Sequence, residues 1–215
     1  MDKKTFRSLA KDLDFSACVG VDLAGSEKRN TGVAFVDNNS ILTFIIKSND
    51  ELFEFKSKFK FFYIDAPLSL PKGRDSLEVR NERHFRECDL LLKQRGIKFF
   101  PATLGPMRML TQRAISIKEE LEKSGKEVYE VFPGAFYDVF GVKRKDRASI
   151  HNLFLKLCEL FGLCLKAENL SQDELDAIAC LFTGLFHRMG LAEPLTGDDG
   201  TIIIPEKKVK NFLNL

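Results

Sequence analysis

The sequence has no tryptophan, only three tyrosines and no marked excess of either charge. Lys and Arg total 33 against 31 Asp and Glu, a net charge of +2. That balance excludes the strongly basic profile that identifies a nucleic-acid binder by composition alone, although a local basic face remains compatible with it. No apolar run approaches membrane-spanning length, and the N-terminal region carries no signal-like hydrophobic segment. The reading therefore expects a soluble, cytoplasmic protein with no membrane partner. The five cysteines, Cys18, Cys88, Cys158, Cys164 and Cys180, are odd in number and form no CxxC pair. They read as buried, reduced thiols. Repeats, low-complexity segments and linkers are also missing, so the 215 residues read as one domain, 1–215.

What is present is a large apolar complement, 44% of residues, including 20 phenylalanines assigned mostly to the core. Residues 3–15 have the spacing of a short amphipathic helix. Residues 17–23, 31–37 and 40–47 read as strands of an antiparallel meander, with Asn38-Asn39 as a tight turn. A helix is expected over 50–59 and a fourth strand over 60–65. Helical patterns over 75–94 and 106–124 make residues 70–125 a helical insertion before a fifth strand at 127–132. Further helices are expected over 147–161 and from Ser171, where Ser171 and Glu174 form a capping box. Residues 200–205 suit a short closing strand.

Acidic residues stand at the ends of these elements. Asp22 closes the apolar run Val19-Gly20-Val21-Asp22, and Asp65 closes Phe61-Phe62-Tyr63-Ile64-Asp65. Asp173 and Asp176, three apart on the last helix, share a face. The same face carries Ala177, Cys180 and Gly184, small enough to let the helix lie close to the sheet. If the first and fourth strands are parallel neighbours, their carboxyl ends form the rim where open α/β sheets bind ligands. Clustered carboxylates raise one another's pKa, and a divalent cation removes that penalty. Oxygen-only ligands favour Mg²⁺ or Mn²⁺ over zinc. Two such ions about 3.5–4 Å apart can activate a water and stabilise the leaving oxygen of a phosphodiester.

The pieces Gly20-Val21-Asp22, Ile64-Asp65-Ala66-Pro67, Glu130-Val131-Phe132-Pro133 and Asp173-Glu174-Leu175-Asp176-Ala177, in this order, resemble the RNase H-like superfamily in its RuvC-like branch. More narrowly, residues 17–205 resemble the family called domain of unknown function 429, described as predicted nucleases. The resemblance implies an α/β fold with a five-stranded mixed sheet. Its first three strands run antiparallel, its fourth and fifth run parallel to the first, and helices flank it. It also implies Asp22, Asp65 and Asp176 or Asp173 as metal ligands of a catalytic site acting on DNA or RNA. Glu130, inside the fifth strand, joins as a supporting ligand or general base if it points the same way as Asp22.

Each feature has a plainer reading. Strand-end Asp residues start turns, and Asp173 suits a helix N-terminus without a ligand. Arg74, Arg80, Arg83 and Arg86 in the insertion, and Lys143 and Arg144 later, are phosphate-contact candidates or solvated charges. His84 and Cys88 are four apart on an expected helix but lack a second metal-binding pair. Glu87 and Asp89 flank Cys88 and are placed to approach the carboxylates, and His187 reads as a surface or interface residue rather than a base. Two other functions fit the residues. One is a non-catalytic nucleic-acid-binding or regulatory module, which the near-neutral charge favours. The other is an actin-like nucleotide-handling enzyme, because Asp22-Leu23-Ala24-Gly25-Ser26 resembles a phosphate loop. The Phe-rich surface and the Val209–Leu215 tail suit a homodimer.

Overall fold

The computed structural model describes residues 3–11, 13–79, 82–167 and 169–213. Its sheet has strands β1 (Cys18–Asp22), β2 (Thr31–Asp37), β3 (Ser40–Ile46), β4 (Phe61–Asp65), β5 (Glu127–Val131), β6 (Cys164–Leu165), β7 (Ala192–Gly197) and β8 (Gly200–Pro205). They lie in the order β6-β3-β2-β1-β4-β5-β8-β7. The meander β1-β2-β3 is antiparallel and turns on Asn38 and Asn39, both at positive φ. β4 pairs parallel with β1, β5 with β4, and β8 with β5. The helices are α1 (Lys3–Lys11), α2 (Asn49–Glu54), α3 (Glu87–Gln94), α4 (Gly105–Lys123), α5 (Pro133–Phe140), α6 (Arg147–Phe161) and α7 (Gln172–Arg188). The chain is thus an α/β protein with a mixed sheet between helices. Among the described residues, no helix is long and apolar enough to cross a membrane.

Strand alternation sorts the side chains into two main cores. Val19 and Val21 of β1 and Phe62 and Ile64 of β4 pack with Leu52 of α2 and Ala114, Ile117 and Leu121 of α4. Cys18, Phe61 and Tyr63 pack on the opposite face with α5, α6 and α7. Asp22 and Asp65 fall by the same period on this second face. α7 lies there almost directly on the strand backbone. A Cβ at Gly20 would collide with the Ala177 carbonyl oxygen and the Leu181 amide, and one at Gly32 with the Asp173 carbonyl. Gly184 of α7 in turn receives the Tyr63 ring. The small residues that permit the approach are therefore shared between strands and helix.

Four expectations need correction. Among the described residues the sheet has eight strands, not five. The two-residue β6 is too short for a periodic signal, and β7 contains Pro194, which only an edge strand tolerates. Residues 75–79 and 82–86 are not helical. The buried Arg74 guanidinium donates to the carbonyls of Ser76 (2.9 Å), Val79 (2.9 Å) and Arg83 (3.1 Å), taking the place of helical N–H donors. Pro133 does not merely end a strand; it occupies the first turn of α5, where its missing N–H costs nothing. Finally, Val209, Phe212 and Leu213 are buried in the chain's own core beside Phe6, so they are not free for a dimer contact. Asn214, Leu215, Asp12 and Arg80 lie outside the described residues. Of the cysteines, Cys164 is exposed and the other four are buried, all as free thiols.

Gly20→Ala should lower the unfolding free energy by about 1–3 kcal/mol or more, because the obstructing atoms are backbone. Gly105→Ala, where a Cβ meets nothing within 4 Å, should leave it unchanged or slightly raised. Urea denaturation of the two variants measures the contrast.

Candidate functional site

Asp22 and Asp65 are register partners across the parallel β1–β4 pair, so their Cα atoms are neighbours at the strand ends. Both side chains are half-buried. Burial first, then the Asp65, Asp176 and Asp173 carboxylates, push the Asp22 carboxyl well above the usual aspartate range. Asp65 is raised in the same direction by burial, then by Asp176 and Glu130, while Arg144 pulls it back. The loop after Asp22 is braced by Arg113 of α4, which donates to the Ala24 carbonyl at 2.8 Å and to Asn49 Oδ1 at 2.9 Å. Thr31 Oγ1 accepts the Ala24 N–H at 3.1 Å.

The start of α7 brings the other two acids. Ser171 caps it, accepting the Glu174 N–H, while Glu174 accepts the Ser171 N–H at 2.8 Å in return. Thr43 of β3 donates to the other Glu174 oxygen at 2.7 Å and ties the helix start to the meander. Asp176 is raised by burial, though hydrogen bonds from Tyr137 and Gln172 oppose the rise. The Tyr137 hydroxyl donates to Asp176 Oδ1 at 2.6 Å, and the Gln172 amide to the same oxygen at 3.0 Å. One carboxylate oxygen is thus anchored while the other is left to the cluster. All four predicted aspartates therefore belong to one electrostatic group. Among the described residues, no set of three or more His, Cys, Asp or Glu side chains is disposed as it stands to hold a metal ion.

Two cavities adjoin the cluster. The smaller, about 520 Å³, is lined by Asp22, Asp173, Gly25 and Arg29. The larger, about 980 Å³, is lined by Asp65, Glu130, Arg86, Arg144 and several phenylalanines. Met107 and Leu110 of α4 line both and stand between them.

Glu130 does not serve as expected. In β5 it is the register partner of Ile64, while Val131 is opposite Asp65, so it points to the other side of the sheet from the aspartates. There it receives both ends of the Arg86 guanidinium at 2.6 Å and the Leu68 N–H at 2.8 Å. Arg86 also donates to Asp89 Oδ1 at 2.7 Å and to Ser69 at 3.1 Å. With Arg86 only 1% exposed, this is a buried clamp joining β5, the post-β4 loop and α3. Arg86 is consequently no surface phosphate contact, and Asp89 belongs to the clamp rather than to the aspartates.

Arg74 is spent on loop carbonyls, and Arg83 donates to the Lys72 carbonyl at 2.6 Å. Lys143 is exposed. Arg144 is half-buried against Gly134, at the start of α5, and stands near enough to Asp65 and Asp176 to oppose the rise of both. It is the predicted cation that reaches the cluster. His84 lies before α3, bonded to Thr103 Oγ1 at 2.8 Å, whereas Cys88 is buried within α3, so they form no helical pair. Glu87 accepts the Asp198 N–H at 2.7 Å, away from the aspartates. His187 is half-buried beside Tyr63, 3.2 Å from its hydroxyl, rather than on the surface. Tyr137 and Gln172 were not anticipated. Gln172 had a signal, its i, i+4 spacing to Asp176, while Tyr137 lay on an unexpected helix.

A family model described as protein of unknown function (DUF429) matches residues 20–201. No curated protein and no solved structure matches the chain.

Two consequences follow for stability. A carboxyl whose folded pKa is raised favours the fold when protonated; that contribution is complete below the ordinary aspartate range and is lost as pH rises through the raised value. Asp22→Asn should therefore raise the melting temperature by a few degrees at pH 8 and leave it nearly unchanged at pH 4, as read by thermal unfolding at both pH values. Arg86→Met leaves Glu130 and Asp89 buried without their cation and should cost about 3–5 kcal/mol in urea unfolding.

Proposed function

The chain belongs to the family of proteins of unknown function described as DUF429, and we propose that it is a divalent-metal-dependent nuclease with an RNase H-like fold that hydrolyses phosphodiester bonds. The observation that carries this reading is the pairing of Asp22 with Asp65 in register, backed by Asp176 and Asp173, with burial and like charge acting together on Asp22. Holding these groups ionised side by side is costly unless a cation joins them. The strand run β3-β2-β1-β4-β5, with its antiparallel and then parallel pairings, supports the fold assignment.

The donor set fits the group. It consists of carboxylate oxygens without thiolate or imidazole, the ligand class of Mg²⁺ or Mn²⁺. Asp22, Asp65 and Asp176 would hold the metal, with Asp173, which lines the smaller cavity, in support. When bound, the metal would supply Lewis-acid activation of water and stabilisation of the leaving oxygen. Tyr137 orients Asp176 by fixing Oδ1, and Arg144 offers a partly exposed guanidinium for a substrate phosphate. Glu130 contributes as a brace: with Arg86 it holds the Leu68 N–H and so the chain just after Asp65.

A second reading, a nucleic-acid-binding module without catalysis, is favoured by the lack of a metal-ready set among the described side chains. Incubation of purified protein with labelled DNA and RNA decides between the two. Cleavage should require Mg²⁺ or Mn²⁺ and disappear in Asp22→Asn. Tyr137→Phe should lower metal affinity or activity by about 10–100-fold. Cleavage in EDTA, or full activity of Asp22→Asn, would remove the metal mechanism, and binding without cleavage at any metal concentration would favour the module.

A further inference from the structure

The larger cavity has a wall that the carboxylate chemistry does not account for. Phe85, Phe99, Phe100 and Phe132 line it together with Asp65 and Glu130. Most of the other phenylalanines are buried in the cores, yet Phe100 is 70% exposed and Phe85 43% exposed at this mouth. Phe85 is held in place edge-on to Phe99, with ring centroids 6.0 Å apart. Arg144 lies over the Phe132 ring at 5.1 Å, and Lys98 stands on the rim. The cavity therefore offers aromatic faces together with a cation that stands beside carboxylates.

Charge and size narrow the occupant. Net charge is only +2, and Arg74, Arg83 and Arg86 are engaged with the chain's own carbonyls and carboxylates. A long duplex gripped through its phosphates needs many free cations, whereas a splayed base needs a π-face. A volume of about 980 Å³ is at the upper end for small-ligand sites and suits a nucleotide-sized group rather than a duplex. The cavity is continuous with the aspartate cluster through Asp65, so a base held there carries its phosphate towards Asp65 and Arg144.

We propose that this cavity receives an unpaired base of a single-stranded nucleic acid, stacked on Phe85, Phe99 and Phe100, with the adjoining phosphate at Arg144. The inference rests on the nuclease reading for its substrate class and adds strandedness and the residues that select it.

Fluorescence anisotropy of the full chain in EDTA, with a labelled oligothymidine and a duplex of equal length, tests it without cleavage. The single strand should bind at least about tenfold more tightly than the duplex. Phe100→Ala should weaken single-strand binding by about tenfold, the scale of one lost stacking contact, and Phe100→Tyr should restore it. Phe44→Ala, an exposed phenylalanine on β3, should change nothing. Equal or tighter duplex binding, no single-strand binding, or a silent Phe100→Ala would overturn the proposal. Because binding is read without metal, failure of metal-dependent cleavage leaves this result interpretable. Conversely, cleavage confined to duplexes would overturn the single-strand proposal and leave the nuclease reading standing.

Discussion

The contact between the α7 backbone and the backbones of β1 and β2 governs the geometry of this protein. It is made where side chains are missing, at Gly20 and Gly32. Interiors are close-packed, so one added methyl at such a crossing has nowhere to go. The contact sets the depth of α7 on the sheet, and that depth decides whether Asp173 and Asp176 reach the strand ends carrying Asp22 and Asp65. Other ties fix the helix start: the capping box at Ser171 and the Thr43–Glu174 bond to β3. Packing, capping and a cross-sheet hydrogen bond thus all serve the same placement.

The opposite side of the sheet end handles charge differently. Arg86 satisfies Glu130 and Asp89 together, with Ser69 and the Leu68 N–H completing the arrangement. A single buried guanidinium with two carboxylates and fixed forks is a geometry that lysine could not supply. Its mechanical effect is to join α3, β5 and the loop after β4. That loop begins at Asp65, so the clamp steadies one wall of the aspartate cluster without belonging to it. Glu130 sits one residue from the level of Asp65 on the neighbouring strand, and the pleat sends it to the other face.

The residues that were legible in the sequence were those whose placement depends on local pattern. Asp22 and Asp65 end short apolar strands, and Ser171-Gln172-Asp173-Glu174 carries a capping box; period and cap chemistry suffice to read them. Features that depend on tertiary choices were not legible. Whether Glu130 faces Asp22 is decided by β4–β5 register. Tyr137 depends on a helix that follows immediately on a strand, where Pro133 signals the end of one element and the start of the next. The stretch around Arg74 has charged, helix-like spacing, yet a buried guanidinium collects its carbonyls into a loop. β6 and β7 are edge additions, one too short and one containing proline, whose pairing depends on strands already in place. The resemblance named the aspartates as a group; the geometry shows Asp176 anchored by Tyr137 and Asp173 lining the smaller cavity.

The contrast between the two acidic sets is itself an argument about function. Within the same sheet end, the fold provides Glu130 and Asp89 with a dedicated cation and gives Asp22 only further negative charge. The paired carboxylates are buried, whereas the four aspartates are half-buried and keep some access to solvent. A fold selected only for stability gains nothing from crowding carboxylates together, since like charges held side by side raise one another's pKa and cost stability when ionised. Local departures of this kind concentrate where a ligand supplies the missing partner. Arg144 does not fill that role: it is half-exposed, bonded to Asp138 at 3.3 Å, and only moderates Asp65 and Asp176. Burial and like charge thus leave the aspartates raised even beside Arg144, and their oxygen-only donor set is of the class that suits a hard divalent cation.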